Sequence, residues 1–273
     1  MALRSNWRPR RAKILFVTGA SGFLGHHLVN GPASAKWEIV APTSTSLDLR
    51  NRDAVLDMVG DWRPTAIAHL AYRKSDRRSI VDASQYVAEA AEACGARLVH
   101  MSSDVIFPGR STPYVETDEP FALIDYARDK IDAERVVMAF CPDAVMIRTS
   151  LIYGTVTLSA LQRDVADAIN HRSTAAFFTD EVRCPVHVED IAAAVTQLAA
   201  MREVNGPLHV AGPDALSRAE FAMRTARFLG LNPSLVNTAT LEASGLVRPG
   251  RVVLDSSKAA ELDIHCRPVY ASD

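Results

Sequence analysis

Tyr126 and Lys130 stand four residues apart in the stretch Tyr-Ala-Arg-Asp-Lys, and Ser103 precedes them at the end of an apolar run. On a helix, positions i and i+4 share one face, so the phenol and the ammonium can enter the same cleft. The chemistry such a pair suits is reduction of a carbonyl. Hydride addition leaves oxyanion character on the oxygen, and a phenol of ordinary pKa, about 10, donates to it poorly unless a neighbouring cation favours the phenolate. Lys130 is the candidate cation. Ser103 leaves a strand at its carboxyl end, where α/β sheets bind ligands, and can hydrogen-bond the same oxygen. Tyr-x-x-x-Lys alone also describes many surface helix pairs, and what gives it meaning here is the order: glycine turn first, serine second, Tyr/Lys third.

The glycine turn is Thr18-Gly19-Ala20-Ser21-Gly22-Phe23-Leu24-Gly25. Residues 13–18 read as a short buried parallel strand, and 23–29 as the start of a helix. In that context Gly19 permits a tight turn, Gly22 lets a pyrophosphate approach the backbone, and Gly25 lets helix pack on strand, with the helix amino end facing the phosphates. A simple helix cap is the bland alternative. The expected dinucleotide contacts begin with Gly19, Ser21, Gly22, Phe23, Leu24 and Gly25.

Alternation continues along the chain without repeats or low complexity. Strands are expected at 38–41, 66–71, 98–102 and 144–148, and helices at 52–59, 81–94 and 127–140. Such βαβ alternation predicts an α/β fold, a Rossmann-type doubly wound parallel sheet spanning 13–150. A smaller substrate lobe is expected from 151–187 and 202–273, with 188–201 returning as a helix to the nucleotide domain. Within the lobe, 216–228 reads as a packed helix with Ser217 capping it ahead of Glu220.

A chain of 273 residues that is 48% hydrophobic can bury one large core, or a core and a lobe. Its net charge of -2 offers no field for nucleic acid or an anionic membrane, although Arg4, Arg8, Arg10 and Arg11 make 1–12 a basic tail expected to be flexible and solvated. That tail lacks the apolar stretch of a signal peptide, and no run approaches the roughly 20 residues that span a bilayer. A cytoplasmic protein acting on a small molecule is expected, and a homodimer is left open. Cys94, Cys141, Cys184 and Cys266 are far apart with no Cys-x-x-Cys, which argues for reduced thiols and against a zinc site.

Further motifs carry a resemblance. Met101-Ser102-Ser103-Asp104-Val105-Ile106-Phe107-Pro108-Gly109, then Pro113-Tyr114, Glu116, Pro120, Leu123 and Tyr126, resemble the extended short-chain dehydrogenases/reductases, closest to the dTDP-4-dehydrorhamnose reductase group. Ile147-Arg148-Thr149-Ser150-Leu151-Ile152-Tyr153-Gly154 is similar to that group's nicotinamide-lining strand and loop, and Cys184-Pro185-Val186-His187-Val188-Glu189-Asp190-Ile191-Ala192 to the segment that leads back to the main fold. The resemblance implies reduction at C4 of a nucleotide-linked 4-keto sugar, with Ser103 as the catalytic hydroxyl, Tyr126 as proton donor and Lys130 also holding the nicotinamide ribose. It also implies dinucleotide contacts from Asp48, Leu49, Leu70, Ala71, Tyr72 and Ser102.

Departures from the group fall on the substrate side. Leu151 stands where tryptophan is usual and Val105 where an aromatic residue follows the aspartate, so two flat stacking surfaces are missing from the expected substrate set of Asp104, Val105, Leu151 and Arg183. His69-Leu70-Ala71-Tyr72 replaces a stretch that more often holds asparagine, and His69 reads as a buried structural residue rather than a base. An NAD site wants an acid about 20 positions past the glycines and an NADP site a cation. Residues 42–46 offer neither, but hydroxyls such as that of Thr43 can receive a 2′-phosphate, which tips the reading slightly to NADP with NAD use open. Asp48 is equally readable as an adenosine contact or a helix-capping carboxylate. Arg183 is equally readable as a bidentate diphosphate ligand or a structural ion pair. Two other classes stay open: an epimerase or dehydratase with tightly held NAD, against which Val105 stands where a dehydratase has a second acid, and a dinucleotide-binding regulatory protein without turnover.

Overall fold

The computed structural model describes residues 13–270. The basic tail at 1–12 lies outside the described residues. Five strands follow the expected alternation: β1 (Ile14–Thr18), β2 (Glu38–Val40), β3 (Ala66–His69), β4 (Arg97–Met101) and β5 (Val145–Arg148). A sixth, Gly206–His209, pairs with β5, and the parallel sheet runs Gly206–His209, β5, β4, β3, β1, β2.

The strands are apolar on both faces because both are covered. Leu15 and Val17 of β1 pack under α1 (Phe23–Asn30) and α6 (Val188–Leu198), with Leu24, Leu28, Ile191 and Val195. Phe16 points the other way, against Val55 and Val59 of α2 (Arg52–Trp62), Val87 and Ala91 of α3 (Arg77–Cys94) and Val137 of α4 (Asp125–Phe140). Helix α6 thus packs on the central sheet beside α1.

The stretch expected to belong wholly to the lobe differs. Gly206–His209 completes the central sheet, and Ala259 and Ile264 join the core beneath it. The reason is edge coverage: with Leu208 only 3% exposed, the added strand pairs the ladder groups that β5 would otherwise leave open. The lobe is built around α5 (Ala160–Ile169) and α7 (Arg218–Phe228), which bury Val165, Ile169, Phe177, Ala222 and Ala226 together. Ser217 and Glu220 form a reciprocal capping box at the head of α7. Just before it, Leu216–Ser217 pairs antiparallel with Val182–Arg183, which sets Arg183 and Arg218 near each other.

Neighbouring strands diverge in connection at β1, whose successor β2 lies on one side and β3 on the other. A crevice opens at the carboxyl ends of strands at such a reversal. Among the described residues no helix is long and apolar enough to cross a membrane. The four cysteines are free thiols.

Candidate active site

A cavity of about 850 Å³ occupies that crevice. It collects every residue expected in the site from the sequence: the glycine turn with Ser21, Phe23 and Leu24; Thr43, Asp48 and Leu49 beyond β2; Leu70, Ala71 and Tyr72 beyond β3; Ser102, Ser103, Asp104 and Val105 beyond β4. Tyr126 and Lys130 enter from α4, and Leu151 and Arg183 from the lobe.

Two glycines of the turn are obligatory for the protein itself. Gly19 has φ +76°, and a Cβ there would fall 2.7 Å from the Ala71 nitrogen; one on Gly25 would fall 2.1 Å from the Gly19 carbonyl oxygen. Gly22 is different, because a Cβ there would meet only the Gly19 oxygen, at 3.2 Å. It caps α1 without any side-chain bond, so the first amides of that helix face the cavity uncapped. Ser102 Oγ is buried without a hydrogen-bond partner. An open helix amino end and an orphaned hydroxyl fit a dinucleotide, whose pyrophosphate and nicotinamide side would meet them. Below the turn, Thr18 Oγ1 accepts from the Leu70 and Ala71 amides and lies 2.8 Å from His69 Nδ1, while His69 Nε2 is 3.2 Å from Ser84 Oγ. Burial pulls the His69 pKa down to about 3, so the ring is neutral, as suits a histidine that ties β1 to β3.

Lys130 and Tyr126 are positioned by α4, which a buried ion pair of Glu134 with Arg148 of β5, at 2.8 Å, fastens to the sheet. Lys130 is 3% exposed and donates to the Met101 carbonyl at 2.9 Å. Its ammonium lies 4.5 Å from the centre of the Tyr72 ring, and that ring stacks on Tyr126 at 5.9 Å. Burial lowers the Lys130 pKa to about 8, with Glu134 opposing. The expected lowering of the phenol by Lys130 does not occur in this arrangement. Burial, then the Tyr72 hydroxyl and the Asp104 carboxylate, hold Tyr126 well above the ordinary phenol range, and the Ser103 hydroxyl only partly offsets them. The reason is that the ammonium is turned to the Met101 carbonyl and the Tyr72 ring. Tyr126 is thus the neutral acid, a form that can donate.

Lys130 is charged below pH 8 and loses its proton as the pH rises through that value, well before a free lysine would. If the cation assists transfer, kcat/KM for reduction is level below about pH 8 and falls above it. The stability term runs oppositely: between pH 8 and the usual lysine value of 10.5 the unfolded chain holds the extra proton, so rising pH favours the folded state. A kcat/KM that stays level from pH 8 up to about 9.5, well past the Lys130 titration, would rule out the need for the charge.

Ser103 Oγ accepts from the Val105 amide and donates to Asp104 Oδ1, both at 3.4 Å. Asp104 is 3% exposed, receives Ser150 Oγ at 2.6 Å, and has Arg183 Nε 3.7 Å away. Burial raises the Asp104 pKa while Arg183 opposes the rise. This fixes Asp104 as the carboxylate that orients Ser103. Arg183, for its part, is spent: its guanidinium donates to the carbonyls of Val182, Pro249 and Gly250 and pairs with Glu181 at 3.4 Å. Of the two readings of Arg183, the structural ion pair is present: its Nη groups meet these carbonyls and Glu181, while its Nε–H faces Asp104 Oδ2 at 3.7 Å.

The RmlD substrate binding domain family matches residues 12–271. The chain belongs to this family. As a member it is an extended short-chain dehydrogenase/reductase of the dTDP-4-dehydrorhamnose reductase group. Methionine adenosyltransferase 2 subunit beta of Pongo abelii is 30% identical over 94% of this chain and 84% of its own length. The dTDP-4-dehydrorhamnose reductase of Aggregatibacter actinomycetemcomitans is 28% identical over 89% of this chain and 91% of its own. The crystal structure of dTDP-4-dehydrorhamnose reductase from Bacillus anthracis in complex with NADP has the same fold, with a TM-score of 0.84 at 22% identity, over 94% of this chain and 95% of that one.

In this member of the RmlD substrate binding domain family, Asp48 is not the cap of α2. Asn51 is, accepting from the Ala54 amide, and Asp48 instead takes Arg50 at 2.9 Å, which lowers its pKa to about 2. The cap reading fails because Asp48 lies one turn too early. Residues that the sequence reasoning missed are Arg218, Arg248 and Glu181, which line the cavity from the lobe. No motif announces them. The only signal was that Arg218 follows the Ser217 cap, at the first position of a helix whose head points inward.

Proposed function

We propose that the protein is an NAD(P)H-dependent reductase of a carbonyl, with a 4-keto nucleotide sugar as substrate. The observation that carries this reading is the convergence of Ser103, Tyr126 and Lys130 on the one cavity that also holds the open Gly22 end of α1. The names of the reductase relatives support the nucleotide-sugar class. A reduced nicotinamide, when bound, supplies the hydride. Ser103, held by Asp104, hydrogen-bonds the carbonyl oxygen, and Tyr126 delivers the proton as charge develops there. Lys130, whose ammonium is held by the Met101 carbonyl, holds the nicotinamide ribose. For the adenosine end, the Thr43 hydroxyl, with Arg50 on the same rim, favours NADP slightly over NAD.

The test is the purified protein with NADPH or NADH against a panel of 4-keto sugar nucleotides. Carbonyl-dependent oxidation of the dinucleotide is expected, and its absence with every member of the panel overturns the reading. Within the panel, dTDP-4-dehydrorhamnose is expected to be poor, because Leu151 and Val105 line the cavity where the group stacks aromatic rings. Leu151→Trp should then raise its kcat/KM by roughly tenfold, equivalent to about 1.4 kcal/mol of recovered contact. Ordinary efficiency in the wild type would instead make the missing rings neutral.

A second reading is favoured by the likeness to methionine adenosyltransferase 2 subunit beta. On this reading the present protein is a regulatory protein that binds a dinucleotide without turning it over. Under it, dinucleotide binding persists and no panel member is reduced.

A further inference from the structure

In the reductase reading Tyr126 gives a proton to the carbonyl oxygen at each turnover and is left a phenolate, so water must refill it before the next cycle. The groups around its hydroxyl narrow the route. Lys130 is 3% exposed with its ammonium turned to the Met101 carbonyl, and Asp104 is 3% exposed and receives Ser150. Ser103 is engaged with Asp104 and the Val105 amide, and serves the carbonyl. Tyr72 differs from these in being 49% exposed while its hydroxyl interacts with that of Tyr126.

The backbone on both sides of Tyr72 is tied down. The Ala71 amide donates to Thr18 Oγ1 at 3.3 Å, and Ser79 Oγ accepts from the Arg73 amide at 2.8 Å and donates to the Arg73 carbonyl at 3.2 Å. From that short connection between β3 and α3 the Tyr72 ring lies along Tyr126, with centres 5.9 Å apart and planes 27° from parallel. Its face meets the Lys130 ammonium at 4.5 Å. Lys74, from the same connection, also reaches the Tyr126 ring, 5.3 Å from its centre, and so serves as the control.

We propose that Tyr72 is a relay residue, acting through Tyr126, whose hydroxyl returns a proton to the Tyr126 phenolate after each turnover. The O–H bond of Tyr72 breaks as one forms on Tyr126, and the Tyr72 phenolate then takes a proton from water or a buffer acid. Tyr126 is held well above the ordinary phenol range, so its phenolate is a strong base and draws that proton. The proposal rests on the reductase reading. Because refilling follows reduction of the carbonyl, its loss slows the cycle without touching the steps up to and including reduction.

Tyr72→Phe keeps the ring and removes the hydroxyl. With NADPH and a carbonyl that the wild type reduces, kcat is expected to fall by roughly a hundredfold, the lower bound for a positioned acid, while kcat/KM holds and KM falls in parallel. Stopped-flow traces should show a stoichiometric burst of NADPH oxidation followed by a slow steady state. Imidazole buffer, a small proton donor, should raise that steady rate in the variant and leave the wild type as it was. Lys74→Met should behave as the wild type. A wild-type kcat in Tyr72→Phe overturns the proposal, and so does a joint fall of kcat and kcat/KM, which would place the hydroxyl in the chemical step or in the packing of Tyr126. A loss confined to kcat in Lys74→Met and absent from Tyr72→Phe moves the relay to Lys74.

A readout without turnover separates this from the reductase reading. In protein carrying tyrosine isotopically labelled at Cζ, the Tyr126 NMR signal, identified by its loss in Tyr126→Phe, is expected to move in Tyr72→Phe and to stay in Lys74→Met. If that signal moves while no carbonyl is reduced, it is the reductase reading that fails and the hydroxyl contact that stands. An unmoved signal overturns the proposal whatever the turnover.

Discussion

Tyr126→Phe is expected to keep dinucleotide binding and lose turnover by about 10² to 10⁴ fold, the range a positioned acid contributes. The exchange removes one oxygen from a ring whose packing stays, since the Tyr126 ring rests against Ile80, Val81 and Ala133 and on Tyr72. The fold should therefore survive, and the Tm shift with NADPH should match that of the wild type. The loss belongs in kcat, because the phenol acts when charge develops on the carbonyl oxygen and contributes little to ground-state binding. Lys130→Met is the informative partner. It removes the ammonium held by the Met101 carbonyl, and should weaken dinucleotide binding as well as turnover. A wild-type rate in Tyr126→Phe would mean that another group delivers the proton, and Tyr72, stacked on it, would be the next to exchange.

Gly22→Val should abolish dinucleotide binding while leaving a folded protein. Gly19 and Gly25 cannot serve for this test, since a side chain at either collides with backbone inside the turn. At Gly22 the only close atom is the Gly19 oxygen at 3.2 Å, so a few tenths of an ångström of adjustment admits the Cβ, and the branches enter the space before the α1 amides. For the wild type, NADPH at a hundredfold excess over its Kd stabilises by about 2.7 kcal/mol through mass action, enough to move Tm by several degrees. That shift should vanish in Gly22→Val. Equal shifts in the two proteins would move the pyrophosphate elsewhere, and no shift in the wild type with either NADPH or NADH would sink the dinucleotide reading itself.

Much of this was legible from residue order because the chemistry concerned is local. A left-handed turn directly after an apolar strand demands glycine, and Gly19 shows why, with φ +76° and Ala71 pressed against it. A four-residue spacing on a helix places Tyr126 and Lys130 on one face whatever else surrounds them. Apolar runs alternating with helical periodicity fix a parallel sheet, since only helices covering both faces bury such strands. The sequence could also name Gly19, Leu70 and Ser102 among the cavity-lining residues, as each sits just past a strand end.

Only the tertiary structure decided how the charges are spent. Arg183 and Arg218 have the same side chain and neighbour each other across one strand pair. What separates them is that Pro249 and Gly250, more than sixty residues away in the chain, bring their carbonyls to Arg183 and none to Arg218. Asp48 is likewise defined by the Arg50 side chain that folds back on it, not by its distance from α2. Gly206–His209 joined the sheet because the edge of β5 lay open to it. Hydrogen-bond partners and sheet edges are supplied by segments remote in sequence, so no local pattern can carry them, whereas steric demands of a turn and the pitch of a helix are written in neighbouring residues.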